Sequence, residues 1–293
     1  MKNIYKLLFL VLTTGFVFAQ SPPSTNLLFH LRADDNVTAD PEGLTVSSWE
    51  SLVGSYSASQ GDVSKQPLLL TAANGINNHQ AIRFDGVDDY LILPTPSAIG
   101  FAPNQNYDIY VVARSSSANI QFLIAGGTEV HEIHLNGPGA RYISKSYNGI
   151  TYVSDNGASG DFTNGVAHIF AGRTTANGSY MRVDGIDGAK QLQTLYAQDN
   201  TNLRLGCRNG DSYYLAGEIA EVLIYAAGGG GNGESMTLEN RTNLETYLAT
   251  RYNITSGSLP VELTTFTANA TENGVILNWQ TATEVNNYGF EIE

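Results

Sequence analysis

Residues 82–93, IRFDGVDDYLIL, constrain the fold more than any other stretch. Ile82 and Phe84 lead into Asp85-Gly86 and Asp88-Asp89, and Tyr90, Leu91, Ile92 and Leu93 lead out. Asp-Gly supplies the positive backbone angle that a tight bend needs, and the apolar runs on either side supply strands. The stretch therefore predicts a β-hairpin with an acidic turn. Further short apolar runs follow to residue 225, broken at nearly every gap by Gly or Asn. Even spacing of that kind favours an antiparallel sandwich over alternating β-α units.

The same pattern places the interior. Segments 107–114 (YDIYVVAR) and 166–171 (VAHIFA) are apolar on both alternating faces, which predicts central strands covered on both sides. Other strands are expected at 27–31, 66–70, 119–125, 130–135, 141–147, 150–154, 179–184, 203–206 and 215–225, with Trp49 plugging one end of the core. Gly228–Gly231 breaks the run. Beyond it, 235–252 has helical period, with Leu244, Tyr247, Leu248 and Tyr252 on one face and Ser235 as the expected N-cap. That helix is expected to lie across an edge or the back of the sheets. Only 15% of residues are charged, and 30 glycines, 16 tyrosines and 11 phenylalanines fit many short strands.

Residues 1–19 read as a secretory signal peptide: Lys2 and Lys6, the apolar run Leu7 to Phe18, then Val17-Phe18-Ala19 for cleavage. Residues 20–25 are a linker. Cleavage after Ala19 removes two lysines and takes the net charge from -13 to -15. An exported chain so acidic is not expected to bind nucleic acid, which needs a dense basic face. No later run is apolar enough for a transmembrane segment in the mature chain. Cys207 is the single cysteine, so no internal disulfide can form and the core alone must hold the domain. Cys207 itself is expected to be a small buried apolar residue. After a linker at 255–259, residues 260–293 predict three strands around Leu263/Phe266, Val275–Trp279 and Tyr288–Ile292, too few to bury a core alone.

Trp49, then QPLLL, IRFDGVDDYL, YMRVDG and GEIAEVLIY with the closing LETYLATRYNI occur in that order. Together they resemble the laminin-G-like, concanavalin A-type jelly-roll domains of large exported bacterial surface proteins, over roughly residues 26–254. The tail from Leu259 resembles the fibronectin-III-like module that precedes the sorting tail of type IX secretion substrates. The resemblance implies an all-β fold: a two-sheet antiparallel jelly-roll sandwich with one C-terminal helix, then the beginning of an Ig/fibronectin-III-like sandwich. It further implies a secreted or cell-surface, non-catalytic recognition or adhesion module that binds extracellular carbohydrate or a matrix protein. The alternatives are a carbohydrate-active enzyme (glycoside hydrolase or polysaccharide lyase) and a purely structural adhesin segment.

The chemistry-bearing residues are weighed on that frame. Side chains alternate faces on a strand, so Glu218 and Glu221, or Glu129 and Glu132, point apart unless a bulge intervenes; a glycosidase needs two carboxylates facing one cleft. Glu221 is expected to pair with Arg83 or Arg182. His131 and His134, three apart on a strand, also point to opposite faces and make a poor chelating pair. Asp85, Asp88 and Asp89 are the candidate calcium ligands, ahead of Asp184 and Asp187. For stacking on sugar rings, Tyr213 and Tyr214 with Asp211 are the first candidates, and Tyr142, Tyr147 and Tyr152 the others.

Overall fold

The computed structural model describes residues 21–281 apart from 101–104, 127–130, 146–150, 156–160, 176–177, 189–199, 211, 228–234, 256–262 and 272–273. The signal peptide, Glu129, Tyr147, Asp211, most of the 255–259 linker and the strand expected at 288–292 lie outside these residues. In chain order the first strands are β1 (Leu27–Arg32), β2 (Val37–Ala39), β3 (Val46–Glu50), β4 (Ser57–Ser59), β5 (Leu68–Leu70), β6 (Ala81–Asp85) and β7 (Leu91–Ile92). Then come β8 (Tyr107–Ser115), β9 (Gln121–Ala125), β10 (Glu132–Asn136), β11 (Gly139–Lys145) and β12 (Thr151–Asp155). The remainder are β13 (Ala167–Thr175), β14 (Gly178–Val183), β15 (Ile186–Asp187), β16 (Arg204–Leu205), β17 (Ala216–Ala226), helix α1 (Leu238–Arg251), β18 (Leu263–Thr271) and β19 (Gly274–Thr281).

Two antiparallel sheets carry β1 to β17. The first runs β15-β14-β13-β8-β17-β6-β5, with β1 also on β17; the second runs β12-β11-β10-β9-β16-β7-β4-β3-β2. Between them lies a continuous apolar core that includes Phe29, Trp49, Ile82, Phe84, Leu91, Val111, Leu123, Ile133, Phe170, Leu205 and Val222. Cys207 is buried, as expected of a small apolar residue. Each such side chain contributes about 1.5–3 kcal/mol on leaving water, which is how the body holds without a cross-link. β18 and β19 pair with each other as a separate two-stranded sheet. Among the described residues no helix is long and apolar enough to cross a membrane.

The predicted hairpin is instead a crossing between sheets. β6 pairs with β5 and β17, whereas β7 pairs with β4 and β16. Phe84, Leu91 and Leu93 all enter the inter-sheet core, so the chain gains more by spanning the gap than by doubling back. Asp85 makes the crossing possible. Its Oδ1 accepts from the backbone N–H of Val87 (2.8 Å), Asp88 (3.2 Å) and Asp89 (3.4 Å), donors that a hairpin ladder would otherwise have satisfied.

The second face of the central strands is covered by α1. Tyr110, Val112, Ile169, Ala171, Leu223 and Tyr225 from β8, β13 and β17 pack against Leu244, Tyr247, Leu248 and Tyr252. The predicted face of the helix is thus the buried one, against the back of the first sheet. Its cap is Thr237, whose side chain accepts from Asn240 N, and not Ser235. Ser235 is buried instead, its hydroxyl donating to Asp108, which also pairs with Arg173. The acid at 221 is paired, as expected, but with different partners. Glu221 takes the His30 imidazole at 2.6 Å, the Tyr247 and Tyr252 hydroxyls at 3.0 and 2.8 Å, and the Arg251 guanidinium at 3.7 Å. Arg83 goes to Glu218, and Arg182 to Glu245 and Asp187.

A bulge explains one further departure. Ile219 pairs with Ala113 and Glu221 with Val112, so Ala220 is the extra residue on β17. Ile219 and Val222 face the inter-sheet core, and Ala220 joins the helix side. Glu218 and Glu221 consequently share the outer face, despite their odd spacing.

The sheets approach closely at Gly206, where φ is +86° and an added Cβ would fall 2.3 Å from the Phe84 ring. Gly137 is also left-handed, at +61°, but an added Cβ there meets nothing within 4 Å. Gly206→Ala should therefore cost about 1–3 kcal/mol of overpacking beyond the backbone strain that both positions share. Gly137→Ala serves as the control. Paired denaturant melts check this, and equal losses would mean that Phe84 does not rest on Gly206.

Candidate functional site

The loop from β16 into β17 carries the chain from one sheet to the other, and it gathers the polar and aromatic groups at that rim. Arg208 and Ser212 close it with a backbone hydrogen bond of 2.9 Å. Gln121, wholly buried, anchors its far end. Its Oε1 accepts from Ala216 N at 3.0 Å, and its Nε2 donates to Ser117 O at 2.7 Å. Ser115 adds a bond to Ala216 O at 2.8 Å. These bonds satisfy backbone groups that the sheet ladders leave behind, so the loop enters β17 at a fixed angle.

Tyr213 stands out of this loop with 47% of its surface exposed and φ of +56°, a conformation that favours glycine. Its carbonyl accepts from Phe122 N at 3.2 Å, and its ring lies 5.8 Å from the Phe122 ring. Phe122 stacks in turn on His134, its cross-strand partner, at 4.7 Å and 29°. Ile133 and Leu135 point into the core, so Glu132 and His134 point to the outer face of the second sheet. Arg208 lies 5.7 Å from the Phe122 ring and donates through Nε to the buried Glu132 at 3.1 Å. The result is an exposed aromatic ring backed by a second one, with a guanidinium beside it.

His134 is only 6% exposed. Burial, with help from the charges of Arg141 and Arg208, pushes its pKa down to about 4. The imidazole is therefore neutral at physiological pH, an acceptor and donor and not a cation. Sequence reasoning missed Phe122, His134 and Arg208 as one group, because they come from β9, β10 and the β16–β17 loop. The two histidines do face opposite ways: His131 packs its ring 4.7 Å from Tyr107, on the core side.

The other candidates divide. Tyr214 is half-buried next to Tyr213. Tyr142 is a core residue, not a surface one. It is wholly buried, and its hydroxyl bonds to Tyr107 at 2.6 Å and Thr174 at 2.8 Å. Tyr152 lies in β12 opposite Ser144. Asp184 is engaged by His168 at 2.6 Å and Ile169 N at 2.7 Å, and Asp187 by Arg182.

The acidic turn does bring Asp85, Asp88 and Asp89 together, one carboxylate oxygen from each lying within 4.8 Å of the others. Three oxygens are at most half of the six to eight that calcium takes. The turn also uses these groups itself, since Asp89 Oδ2 accepts from Asp85 N at 3.0 Å. Burial of Asp89, then the charges of Asp85 and Asp88, push its pKa up to about 6.

Neither a family model nor a curated protein sequence matches the chain. Solved structures do share its fold. Trypanosoma rangeli sialidase, in complex with a difluoro-nononic acid, aligns at a TM-score of 0.54 and 13% identity over 78% of this chain and 33% of that one. An HCR/D mutant aligns at 0.50 and 12%, over 77% and 51%. The binding domain of Paraclostridial Mosquitocidal Protein 1 aligns at 0.49 and 9%, over 91% and 69%. The chain thus spans a third of the sialidase and about half of HCR/D, and the likeness is one of fold.

The raised Asp89 pKa fixes a pH dependence. An unfolded carboxyl titrates near 4, so between about pH 4 and 6 the native state holds a proton that the unfolded chain lacks. Stability from this group is full below pH 4 and is lost as pH rises through 6. Asp89→Asn keeps the acceptor for Asp85 N and should melt on the order of 2–4 °C higher than wild type at pH 7.5, with no difference at pH 4. A cation held by the three carboxylates would keep Asp89 ionised and reverse the order at pH 7.5. The same melts in millimolar calcium and in chelator therefore test the metal directly.

Proposed function

We propose that this chain is a non-catalytic recognition module of an exported protein, and that it binds carbohydrate at the Tyr213 loop. The observation that carries the reading is the exposed Tyr213 ring, held in a left-handed conformation and backed by Phe122. Backbone strain on an exposed aromatic is retained where the surroundings over-determine it, as Phe122 and the closed loop do here. A fixed aromatic face with few rotamers to lose stacks on a sugar ring at low entropic cost. Arg208, which lies against the Phe122 ring, and Ser212 supply hydrogen-bonding groups for hydroxyls. The sandwich fold held in common with a sialidase is compatible with this use, but does not by itself specify it.

The partnering of the acids supports binding over hydrolysis. Glu218 and Glu221 share a face, yet Glu221 lies buried beneath α1 among His30, Tyr247, Tyr252 and Arg251. Glu132 is buried against Arg208. Export rests on the leader Lys2 to Ala19. The β18–β19 pair fits the opening hairpin of a second, fibronectin-III-like sandwich serving as a spacer.

A glycan array on the mature chain tests the reading. Tyr213→Ala with Tyr214→Ala should weaken any neutral glycan found by roughly tenfold or more and leave the melting temperature within a few degrees. An array without hits, or binding that survives the double substitution in a folded protein, overturns it.

A further inference from the structure

A cleft of about 410 Å³ opens near the same rim, on the side of the first sheet. Arg83 and Asp85 from β6, Arg114 from the end of β8, Ser116, Gly165 and Glu218 from β17 line it. Its centre is a carboxylate shared between two guanidinium groups. Arg83 Nε donates to Glu218 Oε1 at 3.4 Å, and Arg114 Nε donates to Glu218 Oε2 at 3.1 Å. Both contacts use the inner nitrogen of the guanidinium. The outer amino groups of Arg83 make no hydrogen bond to the described residues, and Arg114 spends one of its own on Asn74 O at a long 3.5 Å.

We propose that this cleft is a subsite for an anionic oxygen group, a carboxylate or a sulfate, carried on a sugar. Formal charge alone does not select an anion, because Asp85 and Glu218 balance the two arginines. Direction does. Glu218 gives one oxygen to each arginine, and Asp85 Oδ1 is turned to three backbone N–H groups of its own turn. The terminal amino groups of Arg83 and Arg114 hold the open donor capacity, in the planar fork that matches a carboxylate or sulfate.

Glu218 also fixes the pair. It is the buried member, with only 14% of its side chain exposed, while Arg83 and Arg114 keep 47% and 27%. Without it, the two arginines, on β6 and β8 either side of β17, would have no shared anion between them and would swing apart. With it, their inner nitrogens are tethered and the outer ones are presented together, which lowers the ordering cost of binding. In a chain with only 15 lysines and arginines against 28 acids, such convergence is unusual. A sugar fits better than a peptide. Charged groups, a hydroxyl at Ser116 and the backbone at Gly165 and Gly217 line the cleft; its apolar part is the small Ala216 and Phe84, whose ring is committed to the core, which leaves little wall for a large apolar side chain.

This subsite stands apart from the Tyr213 reading, although only Tyr214 and Leu215 separate Tyr213 from Ala216 at the cleft wall. The test uses the mature chain and three oligosaccharide probes of equal length: a polygalacturonate fragment, a sulfated dextran fragment and neutral dextran. One or both acidic probes should bind, should weaken steeply from 50 to 300 mM salt because the arginines are solvent-exposed, and should outbind dextran. The two acidic arms separate carboxylate from sulfate. Arg83→Gln and Arg114→Gln should each lose roughly tenfold or more in affinity for the acidic probe. Their circular dichroism and melting curves establish that they are folded, and Arg83→Lys, which keeps the charge and loses the fork, should recover only part of the loss.

Tyr213→Ala should leave acidic-probe binding intact, so a failure of the tyrosine site and a failure of this one are read separately. The proposal is overturned if neither acidic probe binds at millimolar concentration, if dextran binds equally well, or if the folded glutamine variants bind as wild type does.

Discussion

Three buried carboxylates between α1 and the back of the first sheet hold the molecule in register. Asp108 binds Arg173 and the Ser235 hydroxyl just ahead of the helix. Glu245, on the helix, takes Arg182 from β14 at 2.6 and 3.0 Å and the Tyr110 hydroxyl at 3.3 Å. Glu221, on β17, takes His30 from β1 and two tyrosines from the helical segment. An apolar interface alone would let a helix slide or rotate over a sheet. Removing one partner of a buried pair costs about 3–5 kcal/mol, because a charge is then left unpaired, so each of these centres penalises displacement. The surrounding tyrosines register the same burial: desolvation and the Glu221 charge push the Tyr247 hydroxyl up to about 12.

The bulge at Ala220 follows from this arrangement. β17 has β8 on one side, and on the other it has β6 along its first half and β1 along its second. An extra residue at the junction lets Glu218 reach the two arginines at the open end while Glu221 reaches His30 and the helix. Ala33 N closes the gap by donating to Ala220 O at 2.9 Å. The closed end of the strand is spent on stability and the open end on presented side chains. Of the two rim features, the Tyr213 ring sits where the chain passes between sheets and the ladders stop supplying hydrogen bonds, and the paired arginines sit on the strand ends that flank β17. Rigid elements placing polar groups on short loops is a common route to recognition.

Much of this was legible in the residues. Apolar runs on both faces of 107–114 and 166–171 correctly marked strands covered twice, and the spacing of Leu244, Tyr247, Leu248 and Tyr252 correctly named the buried face of the helix. Asp85, Asp88 and Asp89 do converge, because they lie within five residues of one another and the turn is local. The Asp-Gly bend was misread as a hairpin because strand-turn-strand looks alike whether the second strand pairs with the first or crosses to the facing sheet. The sequence does not show that Tyr142 is buried, because a tyrosine on a strand has no mark of which way it faces; Tyr107 and Thr174 supply buried partners for its hydroxyl. The partner of Glu221 was misassigned because His30 lies 191 positions away.

By itself, the sequence determined the local terms: a β-rich chain with one late amphipathic helix, no disulfide to lean on, and a turn crowded with acid. Those follow from side-chain periodicity and from residue types whose preferences act over a few bonds. Only the tertiary structure decided which sheet each strand joined, that Glu218 and Glu221 share a face, and that Phe122, His134, Arg208 and Tyr213 form one cluster. Such groupings depend on contacts between residues far apart in the chain, and a single inserted residue in a strand reverses which face its neighbours occupy.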